Sequence, residues 1–413
     1  MEDFMYYLSE NVYLVNGAIN AAVYDLNRNL IYQLPKPAKD LLNKCLEEDC
    51  FNELEEMGIS AFLKADIITN DYVERHSIED LKKELSIDFA WIEVTTRCNY
   101  RCIHCYEEAS TFGGNNMSFD DFCHAIDRIQ EYGIKRIQII GGEPCILGNE
   151  LLRYLDYAVG KFERIIIYTN GSLVTDEMIA FFKKHSIVIL LSVYSYDSVT
   201  HDKVTKVTGS HIKTVDTISK LKDAGISYRA KNVIMDGVCP GEKSTNLYTL
   251  NPHKDIVRLT GRANLDLLSA DLLKKKMITV NSFKRPINRE FISLMVSGHN
   301  CFGRRLYVSW DLNLYPCVME RRIFHGNLRE NKLRDLLKED IMKMNKDAIE
   351  GCKVCELRYA CTDCRPDSFG RGITEKPWYC TYNPTAGIWE DAAKQANDII
   401  EENGKCYDKK KSM

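Results

Sequence analysis

From about residue 88 to 235 strand-like runs alternate with amphipathic helical stretches, and this alternation restricts the fold more than any other feature of the chain. Ala90 to Val94, Arg136 to Ile140, Arg164 to Tyr168, Val188 to Ser192 and Tyr228 to Ile234 read as strands. Between them Phe119, Phe122, Ile126 and Ile129 share one helical face, and Ile212, Val215, Ile218 and Leu221 share another. Strand and helix in strict turn require a parallel sheet with crossover helices, so the expected fold class is α/β, a partial (β/α)6 TIM-like barrel. Barrels of this kind carry their chemistry at the C-terminal ends of the strands.

Those ends hold the residues with chemical content. Cys98, Cys102 and Cys105 follow the first strand, Gly141-Gly142-Glu143-Pro144 the second and Thr169-Asn170-Gly171 the third, while Ser192 ends the fourth. Three thiolates can hold three corners of a four-iron cluster and leave one iron open for chemistry. The chain has 16 cysteines, and its first residues lack the basic region of a secretory signal, so a cytoplasmic location and metal ligation are expected in place of disulfides. A second group comprises Cys301, Cys317, Cys352, Cys355, Cys361, Cys364 and Cys380. Its C-x2-C-x5-C-x2-C core is too tight for a zinc ribbon, which separates its pairs by roughly 15 to 20 residues. Cys45, Cys50, Cys123, Cys145, Cys239 and Cys406 are scattered and read as small buried apolar residues. A formal net charge of -4 gives no basic excess for nucleic acid, and no apolar run reaches membrane-spanning length.

Four stretches follow from the patterning: 1–85, 86–240 for the barrel, 241–300 as a bridging region and 301–413 for the second cysteine group. In the first, Val12 to Val15, Ala21 to Tyr24 and Leu30 to Tyr32 are strand-like and separated by Asn-rich turns. A Pro37-started helix carries Leu41, Leu42, Cys45 and Leu46, and further helices are expected around Cys50 to Met57 and Ser60 to Ala65. Three strands with three helices suggest a winged helix. Asp266 to Lys276 reads as helical, and a helix from about Trp389 to Glu402 is expected to stop at Asn403-Gly404.

Cys98, Cys102 and Cys105, with His104 before the last, resemble the signature of the radical S-adenosylmethionine enzymes. The resemblance implies that S-adenosylmethionine binds the open iron through its amino and carboxylate groups and is cleaved to a 5'-deoxyadenosyl radical. It further implies that Gly141, Gly142, Glu143 and Pro144 hold the methionine amino group and that Ser192 lies near the ribose or carboxylate. His104 and Asn170 join the expected cofactor-binding set. Tyr194, Ser195 and Thr205 stand where relatives often carry Asp, Gly and Arg. The later cysteines resemble the SPASM extension, which implies two auxiliary clusters, three 4Fe-4S clusters in all. By that resemblance Cys352, Cys355, Cys361 and Cys380 ligate one. Cys301, Cys317 and Cys364 hold the other, with its fourth position open to a substrate thiolate, to Cys239 or to another residue. Leu312 replaces the expected Gly before Cys317, and two residues instead of three separate Cys361 from Cys364.

Residues 1–85 resemble the winged-helix element with which ribosomal peptide maturases grip a leader. The expected activity is therefore oxidative modification of a ribosomally made precursor peptide, by thioether or other side-chain crosslinks. A low-potential donor of flavodoxin or ferredoxin type would supply electrons, and no side chain stands out as a catalytic base. Two alternatives remain. A sulfatase-maturing dehydrogenase would carry Asp where Val318 follows Cys317, and an iron-sulfur electron carrier would have no use for Gly141 to Pro144 or Ser192.

Overall fold

The structure, a computed structural model, describes residues 6–48, 51–109, 111–251 and 253–411, with 404–411 by backbone alone. Cys50 and the side chain of Cys406 lie outside the described residues. The chain forms two compact units, each drawn from separate stretches: 1–85, 276–300 and 343–397 make one, and 86–275, 301–342 and 398–413 the other. Residue 85 ends the first stretch of a unit that continues in 276–300 and 343–397. The expected 241–300 and 301–413 stretches are each divided between the two units.

In the unit that contains the N-terminus, β1 (Val12–Asn16), β2 (Ala21–Asp25) and β3 (Leu30–Leu34) form an antiparallel sheet with Val12 opposite Asp25 and Ala21 opposite Leu34. Alternation along the strands sends residues to opposite faces. Val12, Ala21, Val23 and Leu34 pack on α1 (Lys36–Cys45) and α2 (Glu53–Lys64), through Leu42, Cys45, Ile59 and Phe62. Tyr13, Val15, Ala22 and Tyr24 pack instead on Ile287, Ile292, Leu357 and Tyr359. With both faces covered, β2 is buried along its whole length. Among the described residues two α-helices follow the strands where three were expected. An Asn52–Glu55 capping box starts one continuous helix through the two segments read separately in the sequence.

The other unit is built on an eight-stranded sheet. Its parallel strands are β4 (Phe89–Thr95), β5 (Arg136–Gly141), β6 (Arg164–Thr169), β7 (Val188–Ser192), β8 (Tyr228–Lys231) and β9 (Arg305–Val308), in the order β8-β7-β6-β5-β4-β9. Two antiparallel strands, β10 (Asn313–Tyr315) and β11 (Gly326–Asn327), extend it past β9. The crossovers carry α3 (Phe119–Tyr132), α4 (Asn149–Ala158), α5 (Asp176–Lys184), α6 (Ser198–Thr205) and α7 (Ser210–Asp223). Strand residues such as Ile92, Ile139, Ile167 and Ile189 are fully buried against Phe122, Ile126, Leu155, Phe182 and Leu221.

Three sequence expectations are corrected here. Ile212 is 68% exposed, and α7 buries Thr214 and Thr217 beside Ile218 and Leu221. Those hydroxyls donate to the carbonyls of Asn170 and Gly171 at 2.7 Å each, a polar role that an apolar periodicity does not register. The strand expected to reach Ile234 ends at Lys231, and Ile234 forms only a bridge with Ile256. The last helix runs from Ala392 to Lys411, through Asn403-Gly404. Among the described residues no helix is long and apolar enough to cross a membrane.

Candidate active site

A cavity of about 500 Å³ opens at the C-terminal ends of the parallel strands. Cys98, Cys102, Cys105, Gly141, Gly142, Glu143, His104, Asn170 and Ser192, nearly the whole expected cofactor set of this unit, line it. Pro144 is buried but is not part of the lining.

The cysteine loop leaves β4 and is tied down along its length. Thr96 N donates to Asn115 O at 2.9 Å, Arg101 N to Thr205 O at 3.1 Å and Ile103 N to Val204 O at 3.0 Å. Cys98 is buried, and Cys102 and Cys105 are half-buried. Burial raises all three thiols, Cys102 to about 12, so without a cation they hold their protons. Among the described residues no three His, Cys, Asp or Glu groups converge at the spacing of a single ion. A four-iron cube needs its thiolates at separate corners, and three cysteines facing one cavity suit it.

The glycines have a backbone reason. A Cβ on Gly141 would stand 2.3 Å from Thr95 O, and one on Gly142 2.2 Å from Arg97 O. This close approach lets Gly142 N donate to Thr95 O at 2.7 Å and Glu143 N to Arg97 O at 2.8 Å, joining the end of β5 to the cysteine loop. Glu143, 1% exposed, accepts from Cys145 N at 3.0 Å, Thr169 Oγ1 at 2.5 Å and Asn170 N at 2.7 Å. Burial pushes its carboxyl up and these donors oppose the shift.

Asn170 braces the loop directly: Nδ2 donates to Asn99 Oδ1 at 2.8 Å, while Oδ1 accepts from Ser172 N and Oγ. His104 stands edge-on to Tyr194, ring centroids 4.9 Å apart, and burial with the nearby Arg262 charge lowers it to about 4. Its Nδ1 has no hydrogen-bond partner among the described residues, an orphaned polar atom on a side chain that borders the cavity. Ser192 shares the cavity lining with Tyr168 and Tyr194. Ser195 Oγ donates to Cys239 O at 2.9 Å, and Thr205 Oγ1 pairs with Ser210 Oγ at 2.7 Å, so both are structural.

Sequence reading missed Gly261 and Arg262. Arg262 Nε donates to Cys102 O at 2.9 Å, Nη1 to Ala109 O at 2.8 Å and its backbone N to Cys105 O at 3.1 Å. Gly261 has φ +59, and a Cβ there would meet Cys105 O at 2.4 Å. This clamp comes from a stretch without periodicity or motif spacing, which left no signal to follow. The cations Lys231, Arg258 and Arg305 border the same cavity.

The N-terminal unit contains a second cysteine cavity, of about 20 Å³, with Cys352, Cys355, Cys361 and Cys380 in its lining. Burial raises each of these thiols as well. Main-chain bonds hold the frame: Cys355 N donates to Cys352 O at 2.9 Å, Ile278 N to Tyr379 O at 2.9 Å and Thr381 N to Ile278 O at 3.1 Å. Cys364, whose N donates to Tyr379 Oη at 2.8 Å, belongs to this unit but not to the lining. Cys301 and Cys317 belong to the barrel unit. Cys239 is exposed, its sulfur against Gly241 N at 3.4 Å, and it does not border the three-cysteine cavity.

A parallel α/β sheet with three cysteines around an open cavity at its strand ends defines a class. Residues 92–242 match the Radical SAM superfamily, and the chain carries a radical SAM domain there. Over 142 residues it is 34% identical to the antilisterial bacteriocin subtilosin biosynthesis protein AlbA of Bacillus subtilis (strain 168), covering 34% of this chain and 32% of AlbA. The match thus spans about a third of that relative's length. An AdoMet-dependent heme synthase of Methanosarcina barkeri (strain Fusaro / DSM 804) is 23% identical over 339 residues, 71% of this chain and 96% of the synthase. Among solved structures, Streptococcus suis SuiB bound to the precursor peptide SuiA superposes with a TM-score of 0.56 at 12% identity, over 90% of this chain and 99% of SuiB. Native anSMEcpe with bound AdoMet gives 0.52 at 15% identity, over 76% and 97%. At these identities the structural likeness is one of fold.

Proposed function

We propose that the chain is a radical S-adenosylmethionine peptide maturase that oxidatively modifies a ribosomally made precursor in the cytoplasm, forming thioether or other side-chain crosslinks. The observation that carries this reading is the shared core between the N-terminal sheet and the four-cysteine segment. Tyr24 Oη donates to Glu356 O at 2.9 Å, and Gln33 Nε2 donates to Glu356 Oε1 at 2.6 Å, next to Cys355. A leader-binding element and an electron-accepting site built as one body suit a peptide oxidation. AlbA is named for bacteriocin biosynthesis and SuiB is solved with a precursor peptide, which supports the same substrate class.

In this reading Cys98, Cys102 and Cys105 hold the first cluster, and Gly141, Gly142, Glu143, Asn170 and Ser192 frame S-adenosylmethionine beside it. When bound, that pair supplies a 5'-deoxyadenosyl radical able to take a hydrogen from the peptide. The chain's own part is positioning. Arg262, Asn170 and the Gly141–Gly142 junction fix the thiols, while neutral His104 and Tyr194 wall the cavity without adding charge. Crosslinking removes two hydrogens, so an electron and a proton must still leave after the first abstraction. Cys352, Cys355, Cys361 and Cys380 would fully ligate a cluster that takes that electron, and Cys301, Cys317 and Cys364 would hold another. An extended leader would add to β3, an edge strand beside α1, by backbone pairing.

Anaerobic co-expression with a candidate precursor, followed by tandem mass spectrometry, tests the reading: loss of two hydrogens per link is expected. If a panel of leader-bearing peptides stays unmodified while a tetrapyrrole precursor is consumed, the longer heme synthase match is the better guide and the peptide reading is wrong.

A further inference from the structure

The cavity framed by Cys352, Cys355, Cys361 and Cys380 also has a buried cation in its wall. Lys346 is 3% exposed and borders it. Its ammonium lies 2.5 Å from Asp363 Oδ1, and the guanidinium of Arg365 meets the other carboxylate oxygen of Asp363. Asp363 is shielded completely at its side chain. Lys346, Arg365 and His299 thus share the single carboxylate of Asp363, and a buried ammonium is costly unless enough anionic charge sits nearby.

The other lysine of the lining, Lys376, has its ammonium committed to Tyr382 O at 2.6 Å. Lys346 Nζ, in contrast, has an ion partner and no well-formed hydrogen bond among the described residues. Four thiolates outweigh the charge of an iron-sulfur core, so a cluster ligated here would place anionic charge beside Lys346.

We propose that Lys346, held by Asp363, tunes the reduction potential of the cluster ligated by Cys352, Cys355, Cys361 and Cys380, keeping it high enough to accept an electron from the substrate. The inference rests on the cluster assignment made under the proposed function. Reduction adds negative charge, and a fixed cation in a low-dielectric wall favours the reduced state; hydrogen bonds from its ammonium to sulfur act in the same direction. Asp363 acts with opposite sign, so its carboxylate limits the effect while it orients the ammonium.

The test is an EPR-monitored redox titration of the anaerobically reconstituted full chain, in a C98A/C102A/C105A background that removes the first cluster's signal. Iron content is read first. If the unsubstituted second group binds no iron, the cluster assignment fails and this inference with it. If iron is bound, K346M is expected to lower one auxiliary midpoint while the other stays, K346R to restore it, and D363N to raise it. An unchanged midpoint in both K346M and D363N, or a shift of the same sign in both, overturns the proposal. Should K346M assemble no cluster at that site, D363N decides alone, an unchanged or lowered midpoint counting against.

Discussion

The two cysteine cavities make opposite demands on the chain. In the barrel unit three thiols border about 500 Å³ that is also lined by Glu143, Asn170, Ser192 and several cations. In the N-terminal unit four thiols border about 20 Å³, lined also by Ile278, Phe283, Leu357, Pro377 and Trp389 and by the cations Lys346, Arg358 and Lys376. The first leaves a coordination position and polar room for a second molecule. The second has four thiols in a much smaller space, walled by apolar side chains and three cations. In the proposed reading one exchanges a small molecule and the other retains a cluster, and the packing around them differs: the first stands on an extended hydrophobic core, the second on short segments between its cysteines.

The largest expected effect separates the two chemically. Replacing Cys98, Cys102 and Cys105 together by Ala should abolish 5'-deoxyadenosine formation and remove about four irons per chain, while the remaining iron stays. Loss of all iron would mean that the cavities do not act independently. Next comes iron removal itself. Under chelation, hydrogen exchange followed by mass spectrometry should show β1 and β2 losing protection while β5 and β6 keep theirs, because β2 is buried on one face by Leu357 and Tyr359 of the cysteine segment. Equal loss in both units would remove the contrast.

A smaller effect belongs to the clamp on the cysteine loop. Arg262→Ala deletes two side-chain bonds from a charged donor, each worth about 1.5–3 kcal/mol, and should lower cluster occupancy and S-adenosylmethionine cleavage about tenfold or more. Near-native cleavage would show that the loop holds itself. A last effect, on stability and not on catalysis, is acid sensitivity of the barrel unit. Burial lowers His201 and His325 each to about 4, against about 6.5 in an unfolded chain. Above pH 6.5 neither state binds these protons. Between about 6.5 and 4 only the unfolded chain does, so stability falls with pH by up to about 1.4 kcal/mol per pH unit for each histidine, then levels below 4. Thermal unfolding between pH 7 and 4 should show that slope, and His325→Gln should reduce it.

The same contrast explains what could be read in the sequence. The barrel strands and the residues at their ends were legible because period-two and helical patterns are local, and because Cys98 to Cys105 and Gly141 to Pro144 are contiguous. The glycines were legible as glycines, but their cause, the approach of Thr95 O and Arg97 O, is a tertiary fact. Thr214 and Thr217 were hidden because buried hydroxyls that cap carbonyls carry no apolar period. Arg262 was hidden because its partners are main-chain carbonyls about 160 positions away in the chain, a separation no short motif records. In the N-terminal unit the strands were legible, and their second packing face was not, since Leu357 and Tyr359 reach it from the far end of the chain.

One measurement bears most directly on the central claim, that the open three-thiol cavity is an S-adenosylmethionine cleavage site. The anaerobically reconstituted chain is incubated with a low-potential reductant and S-adenosylmethionine, and 5'-deoxyadenosine and methionine are quantified. Formation of both, dependent on reductant and on Cys98, Cys102 and Cys105, is the predicted result. Full cluster assembly with no 5'-deoxyadenosine, with or without peptide, would contradict it.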